Sequence, residues 1–138
     1  MEKKTTILVA DHNLFVRKLL ARELASPACE IVQAANHIQL FSRIYTPPLP
    51  DIIVLDLDIP YLNGGEVLRK LKKIAPQTPV IVFSDFPEYK NSPVVQQASG
   101  FVEKTGDIEA LKNKINEVLA ARNPEGGRLF APEPPSAT

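Results

Sequence analysis

Apolar runs that stop at a polar or charged residue alternate along this chain with segments whose apolar residues recur every three or four positions. Ile7 to Ala10 stops at Asp11, Ile52 to Leu55 stops at Asp56, Pro79 to Ser84 ends in a hydroxyl, and Gly100 to Lys104 ends in a cation. Short runs rich in β-branched residues predict strands buried on both faces of a parallel sheet. Cys29 to Ala34 alternates enough to predict a further strand, near an edge. Between these runs, Val16, Leu19, Leu20 and Leu24 fall at helical spacing, as do Ile38, Phe41, Ile44 and Tyr45. The same holds for Val67, Leu68, Leu71 and Ile74, and for Ile108, Leu111, Ile115, Val118 and Leu119. Arg69, Lys70, Lys72 and Lys73 fill the opposite side of the third helical segment and read as its solvated face. Strand and helix alternate five times, which implies an α/β fold: a parallel sheet, helices on both faces and right-handed crossovers.

Prolines set the breaks. Ser26-Pro27 ends the first helix, Thr46 to Pro50 forms a stiff connector, and Pro60 turns the chain away from the sheet beyond Asp56. Pro87 and Pro93 fall where a fourth crossover helix should run, and a proline inside a helix costs ~3 kcal/mol. Ser92-Pro93 suits a cap followed by a first-turn proline, so a short helix carrying Val94, Val95 and Ala98 is expected, after an irregular loop from Asp85 to Asn91. Asp107 is in position to cap the last helix. From Asn123 the composition shifts to Pro, Gly and Glu, which divides the chain into a domain, 1–122, and a tail or linker, 123–138, with Leu129-Phe130 as the tail's only apolar pair.

Composition narrows the function. At 138 residues there is room for one sizeable core. Sixteen basic and sixteen acidic side chains give zero formal net charge, which argues against nucleic acid or a membrane surface as a direct partner. The single cysteine, Cys29, precludes an internal disulfide and fits a reducing cytoplasm; its expected role is that of a small core residue. No stretch reaches the length of a membrane span, and Met1 to Thr6 lacks the apolar core of a signal peptide.

Candidate chemistry lies where the strands end. Open α/β sheets bind and react beyond the carboxyl ends of their strands, so Asp11, His12, Asp56, Ser84 and Lys104 should converge on one rim. A flavin or nucleotide site would need a glycine-rich loop after the first strand, and Asp11-His12-Asn13-Leu14 has none. His12 and His37 lack the spacing of a zinc motif. Together the four strand pieces, with Gly64 beyond the one that carries Asp56, resemble the receiver domain of two-component response regulators over residues 6 to about 121.

That resemblance implies a flavodoxin-like (βα)5 fold with strand order 2-1-3-4-5. It implies phosphoryl transfer to Asp56 from a sensor histidine kinase or phosphotransfer protein, with Mg2+ held by Asp11, Asp56 and the backbone oxygen of Asp58. Lys104 and Ser84 would contact the phosphate, and Ser84 and Phe101 would switch in response. Such a domain assists its own phosphorylation and dephosphorylation rather than acting as an enzyme on other substrates. Its partners would be an effector domain or downstream protein, with homodimerisation through the fourth- and fifth-helix face left open. A phosphorylation-independent binding module is the competing expectation.

Several positions depart from the family. Its second acid after the first strand is replaced by His12, which places the magnesium site in doubt because imidazole is a poor ligand for a hard cation. Losing an acid also relieves like-charge repulsion and so weakens the need for a cation. The Asp58 side chain is a candidate to restore the acid. Asp85 stands where a small residue is usual, and Thr105 replaces a proline, so no cis peptide is expected there.

Overall fold

The apolar runs pair side by side as five parallel strands in the computed structural model, which describes residues 4–58, 63–105, 108–126 and 128–131. They are β1 (Thr5–Ala10), β2 (Cys29–Ala34), β3 (Ile52–Leu55), β4 (Val80–Ser84) and β5 (Gly100–Glu103). Their order in the sheet is β2-β1-β3-β4-β5, as the resemblance implies, and the alternating strand β2 does lie at an edge. The helices are α1 (Leu14–Leu24), α2 (His37–Tyr45), α3 (Gly64–Ile74) and α4 (Glu109–Arg122).

Successive strand side chains point to opposite faces, and the core divides accordingly. Leu8, Ala10, Ile53, Leu55, Val80 and Val82 face α2 and α3. Ile7, Val9, Ile52, Val54, Ile81 and Phe83 face α1 and α4. An unbroken apolar run is what a strand with helices on both faces requires.

The helical stripes are narrower than the periodicity predicts. Leu20 and Leu24 of α1 are buried and Val16 packs against them, but Leu19 is turned outward. In α2 the buried residues are Leu40, Phe41 and Ile44, whereas Ile38 and Tyr45 are 68% and 62% exposed. These two are seven residues apart and so share a helix face, rotated away from the buried stripe. Asparagines cap three of the helices: Asn13 Oδ1 accepts the amides of Phe15 and Val16, Asn36 Oδ1 that of Gln39, and Asn63 Oδ1 that of Gly65.

The expected short helix after Ser92 is present only as a single 3-10 turn, not as an α-helix. The crossover between β4 and β5 instead holds two 3-10 turns, Pro87–Asn91 and Val95–Gln97, so the stretch expected to be irregular is partly ordered. Ser92 is held extended, as a residue before proline usually is, and this separates the two turns. The Asp107 cap and the turn at Pro60 fall outside the described residues.

Past α4 the chain folds back. Phe130 is buried in the core on the α1/α4 side, and Leu129 packs against the same core. Asn116 of α4 holds this segment: its Oδ1 accepts the amides of Leu129 and Phe130, both at 3.0 Å, and its Nδ2 donates to the Phe130 carbonyl at 2.8 Å.

Removing the side chain in Asn116→Ala leaves two amides without their acceptor and should cost about 2 kcal/mol of stability, read by urea unfolding. Hydrogen exchange should show the Leu129 and Phe130 amides deprotected; retained protection would mean that burial of Phe130 alone holds the segment. Gly64, at the start of α3, packs against Leu57, and an added Cβ would run into the Leu57 carbonyl oxygen and stand 2.6 Å from its Cα. Gly64→Ala is therefore expected to destabilise by about 2 kcal/mol, with the shift seen in the same unfolding curves.

Candidate functional site at the carboxyl rim of the sheet

Backbone hydrogen bonds run one residue past the ends of the strands. The Asp11 amide donates to the Ala34 carbonyl at 3.0 Å, the Asp56 amide to Ala10 at 2.9 Å, and the Lys104 amide to Ser84 at 2.7 Å. Each residue that interrupts an apolar run is thereby fixed to the neighbouring strand.

Asp11 and Asp56 are 2% and 1% exposed. Two acids this buried and this close require compensation, and Lys104 supplies it, with Nζ 2.8 Å from Asp11 Oδ2 and 3.3 Å from Asp56 Oδ2. The lysine starts from edge strand β5 and crosses β4, where its Nζ lies over the Phe83 ring. Neighbouring strands are about 4.8 Å apart, so only a long side chain spans this path.

His12 closes the other side. Its Nδ1 is 2.9 Å from Asp56 Oδ2 and 3.9 Å from Asp11 Oδ1. Against an ionised carboxylate, which only accepts, Nδ1 must carry the hydrogen. The other Asp56 oxygen, Oδ1, accepts the Asp58 amide at 3.0 Å. Asp11 Oδ1 accepts the Asn13 amide at 2.8 Å, and Arg17 Nη1 donates to the Asp11 carbonyl at 2.7 Å. Both Asp56 oxygens are therefore oriented.

Burial pushes the Asp11 carboxyl above its ordinary value, although Lys104 and the Asn13 amide pull the other way. Asp58 is also raised, first by desolvation and then by the negative charge of Asp56. For Lys104, burial alone would lower the value, but the hydrogen bond and charge of Asp11, followed by Asp56, leave it raised.

The structure thus brings together Asp11, His12, Asp56 and Lys104. Ser84 is fully buried at the end of β4, and its Oγ accepts the Phe86 amide at 3.1 Å. Phe101 is partly buried and packs against the core on the α2/α3 side. Asp58 and Asp85 are exposed. Sequence reasoning missed Asn13 and Arg17, which hold the loop carrying Asp11 and His12. An asparagine directly before a helical stripe is a readable cap signal, whereas Arg17 looks like any polar residue on a solvated face.

As a cation site, Asp11, His12 and Asp56 offer ligand atoms that all lie within 4.8 Å of one another. Two carboxylates suit Mg2+, which commonly takes one or two and keeps waters in its remaining positions. The donor set therefore fits a divalent ion, with the imidazole as its unusual member.

The family model for the response regulator receiver domain matches residues 7–116. This chain belongs to that family. TrrA, a response regulator protein of Thermotoga maritima solved in complex with Mg(2+)-BeF, superposes with a TM-score of 0.77 at 25% identity, covering 83% of this chain and 98% of TrrA. TrrA in complex with the histidine kinase ThkA gives a TM-score of 0.76 at 26% identity, with the same two coverages, 83% and 98%. A protein-glutamate methylesterase/protein-glutamine glutaminase of Carboxydothermus hydrogenoformans is 32% identical over 136 residues, 89% of this chain and 40% of that protein. The sporulation initiation phosphotransferase F of Bacillus subtilis is 26% identical over 85% of this chain and 95% of its own length. The chain spans 40% of the methylesterase and 52% of a DegU transcriptional regulatory protein of Brevibacillus brevis. No described helix of this receiver is long and apolar enough to cross a membrane.

Because the folded-state value of Lys104 is raised, the stability it contributes is fully present below the ordinary lysine value and is lost as pH rises through the folded one. Urea unfolding between about pH 9 and pH 11 should show stability falling more steeply in the parent protein than in Lys104→Met, the difference opening above about pH 10.4. The Tyr89 phenol, also pushed up by burial, titrates in both proteins and cancels in the comparison. Parallel curves would mean that Lys104 is not held by the two acids.

Proposed function

We propose that this receiver accepts a phosphoryl group on Asp56 from a histidine kinase or phosphotransfer protein and signals by changing a protein interface. The observation that carries the reading is the buried Asp56 carboxylate, rigid at the end of β3, with a lysine ammonium 3.3 Å away. An Asp56 oxygen would form the new bond to phosphorus as the bond to the donor breaks, giving an acyl phosphate. Positioning and charge neutralisation do most of the work in such a transfer, and Lys104 supplies a mobile point charge for a phosphate oxygen. Ser84 would donate a hydrogen bond to another oxygen by releasing the Phe86 amide, and Phe101 would repack in response. Asp11, Asp56 and the Asp58 backbone oxygen would hold Mg2+, a cation that offsets phosphate charge.

On this reading the chain is a cytoplasmic signalling domain that acts on its own aspartate and on no other substrate. Residues 1–122 form the receiver, and the segment from Asn123 is a tail or linker that could lead to an effector. The kinase complex of TrrA and the effector-bearing relatives support these partners. The phosphorylation-independent alternative is favoured by one observation, the His12 hydrogen bond on Asp56 Oδ2, which engages an oxygen needed for attack.

Intact mass after incubation with acetyl phosphate decides between them. A gain of one phosphoryl group, present with Mg2+ and absent in Asp56→Asn, is expected. No gain with any divalent ion would overturn the phosphoacceptor reading in favour of the binding module.

A further inference from the structure

We infer that His12 makes this rim a mixed oxygen and nitrogen site, taking a borderline first-row divalent ion such as Mn2+, Co2+, Ni2+ or Zn2+ in preference to Mg2+. The inference rests on reading the rim as a cation-assisted phosphoacceptor, and it names which cation.

Three observations carry it. The two acids are almost fully buried while the His12 side chain is 44% exposed, so the imidazole stands on the solvent side of the acid pair. Asp11 divides its oxygens, with Oδ2 bound to Lys104 and Oδ1 directed at the Asn13 amide and the imidazole. Lys104 and His12 share Asp56 Oδ2 but meet different oxygens of Asp11, so Asp11 Oδ1 and the imidazole remain on the side away from the lysine for an ion. Finally, Nδ1 is the imidazole nitrogen turned towards both acids, which is the orientation a ligand needs.

The selectivity follows from donor chemistry. Mg2+ demands hard oxygen ligands and gains little from imidazole, whereas manganese, cobalt, nickel and zinc ions gain progressively or strongly from it. Charge acts in the same direction. Asp11 and Asp56 with Lys104 leave one net negative charge where a third acid would leave two, so the Coulombic attraction on which a hard ion depends is reduced. Binding requires that Nδ1 present its lone pair to the ion in place of its hydrogen bond to Asp56.

The test uses the full chain carrying His37→Gln, which leaves His12 as its one imidazole. Calorimetric titration with Mg2+ and with Ni2+ gives an affinity ratio for this protein and for the same chain with His12→Ala or His12→Asp. The Ni2+ to Mg2+ ratio should fall by about tenfold or more in both His12 variants, and His12→Asp should strengthen Mg2+. Pulsed electron paramagnetic resonance of the Mn2+-loaded protein should show nitrogen coupling that His12→Ala removes. An unchanged ratio, or Mn2+ bound with no nitrogen coupling while His12 is intact, would overturn the inference.

The nitrogen measurement does not depend on whether any variant is destabilised. It is also separate from the mass measurement. Phosphoryl gain on Asp56 with an unchanged metal ratio defeats this inference alone, and His12-dependent Ni2+ binding without phosphoryl gain defeats the phosphoacceptor reading alone.

Discussion

The bridge from Lys104 to Asp11 and Asp56 is the interaction on which the rest of the rim depends. Two carboxylates buried side by side, with no countercharge, would either protonate or force the strand ends apart. The lysine prevents this from β5, two strands away from β3, and its path over Phe83 exists only because the strand order is β2-β1-β3-β4-β5. The charge arrangement therefore requires that sheet order, and the burial of its strands on both faces requires the helices that cover them.

His12 changes the character of that arrangement. In place of a third acid, the rim has an imidazole that orients Asp56 Oδ2 and leaves the cluster with fewer negative charges. The replacement need not destabilise the fold, since a hydrogen bond to a buried carboxylate is among the stronger kinds. It alters the charge and the donors presented at the rim, and it does so while leaving the backbone ladder intact.

Two other features depend on packing rather than on charge. Proline residues divide the crossover after β4 into 3-10 turns, because Ser92 is confined to extended backbone by the proline that follows. The segment at Leu129 and Phe130 returns to α4 because an apolar pair and a correctly spaced asparagine can satisfy both burial and hydrogen bonding there.

The strands and the residues at their ends were legible in the linear chain. An apolar run such as Ile52 to Leu55 has one stable environment, and the polar residue that stops it marks the rim, so Asp11, Asp56, Ser84 and Lys104 were all identifiable. Helix faces were only partly legible. Periodicity includes Leu19, Ile38 and Tyr45 among the apolar positions, but the width of the buried stripe depends on the neighbouring helix. The sequence could not reveal that His12 hydrogen-bonds to Asp56, that Arg17 grips the Asp11 carbonyl, or that Asn116 holds the returning tail. The reason is physical: local patterning encodes burial, whereas pairings between residues up to forty-four positions apart depend on strand order, register and side-chain reach, which only the packed tertiary structure decides.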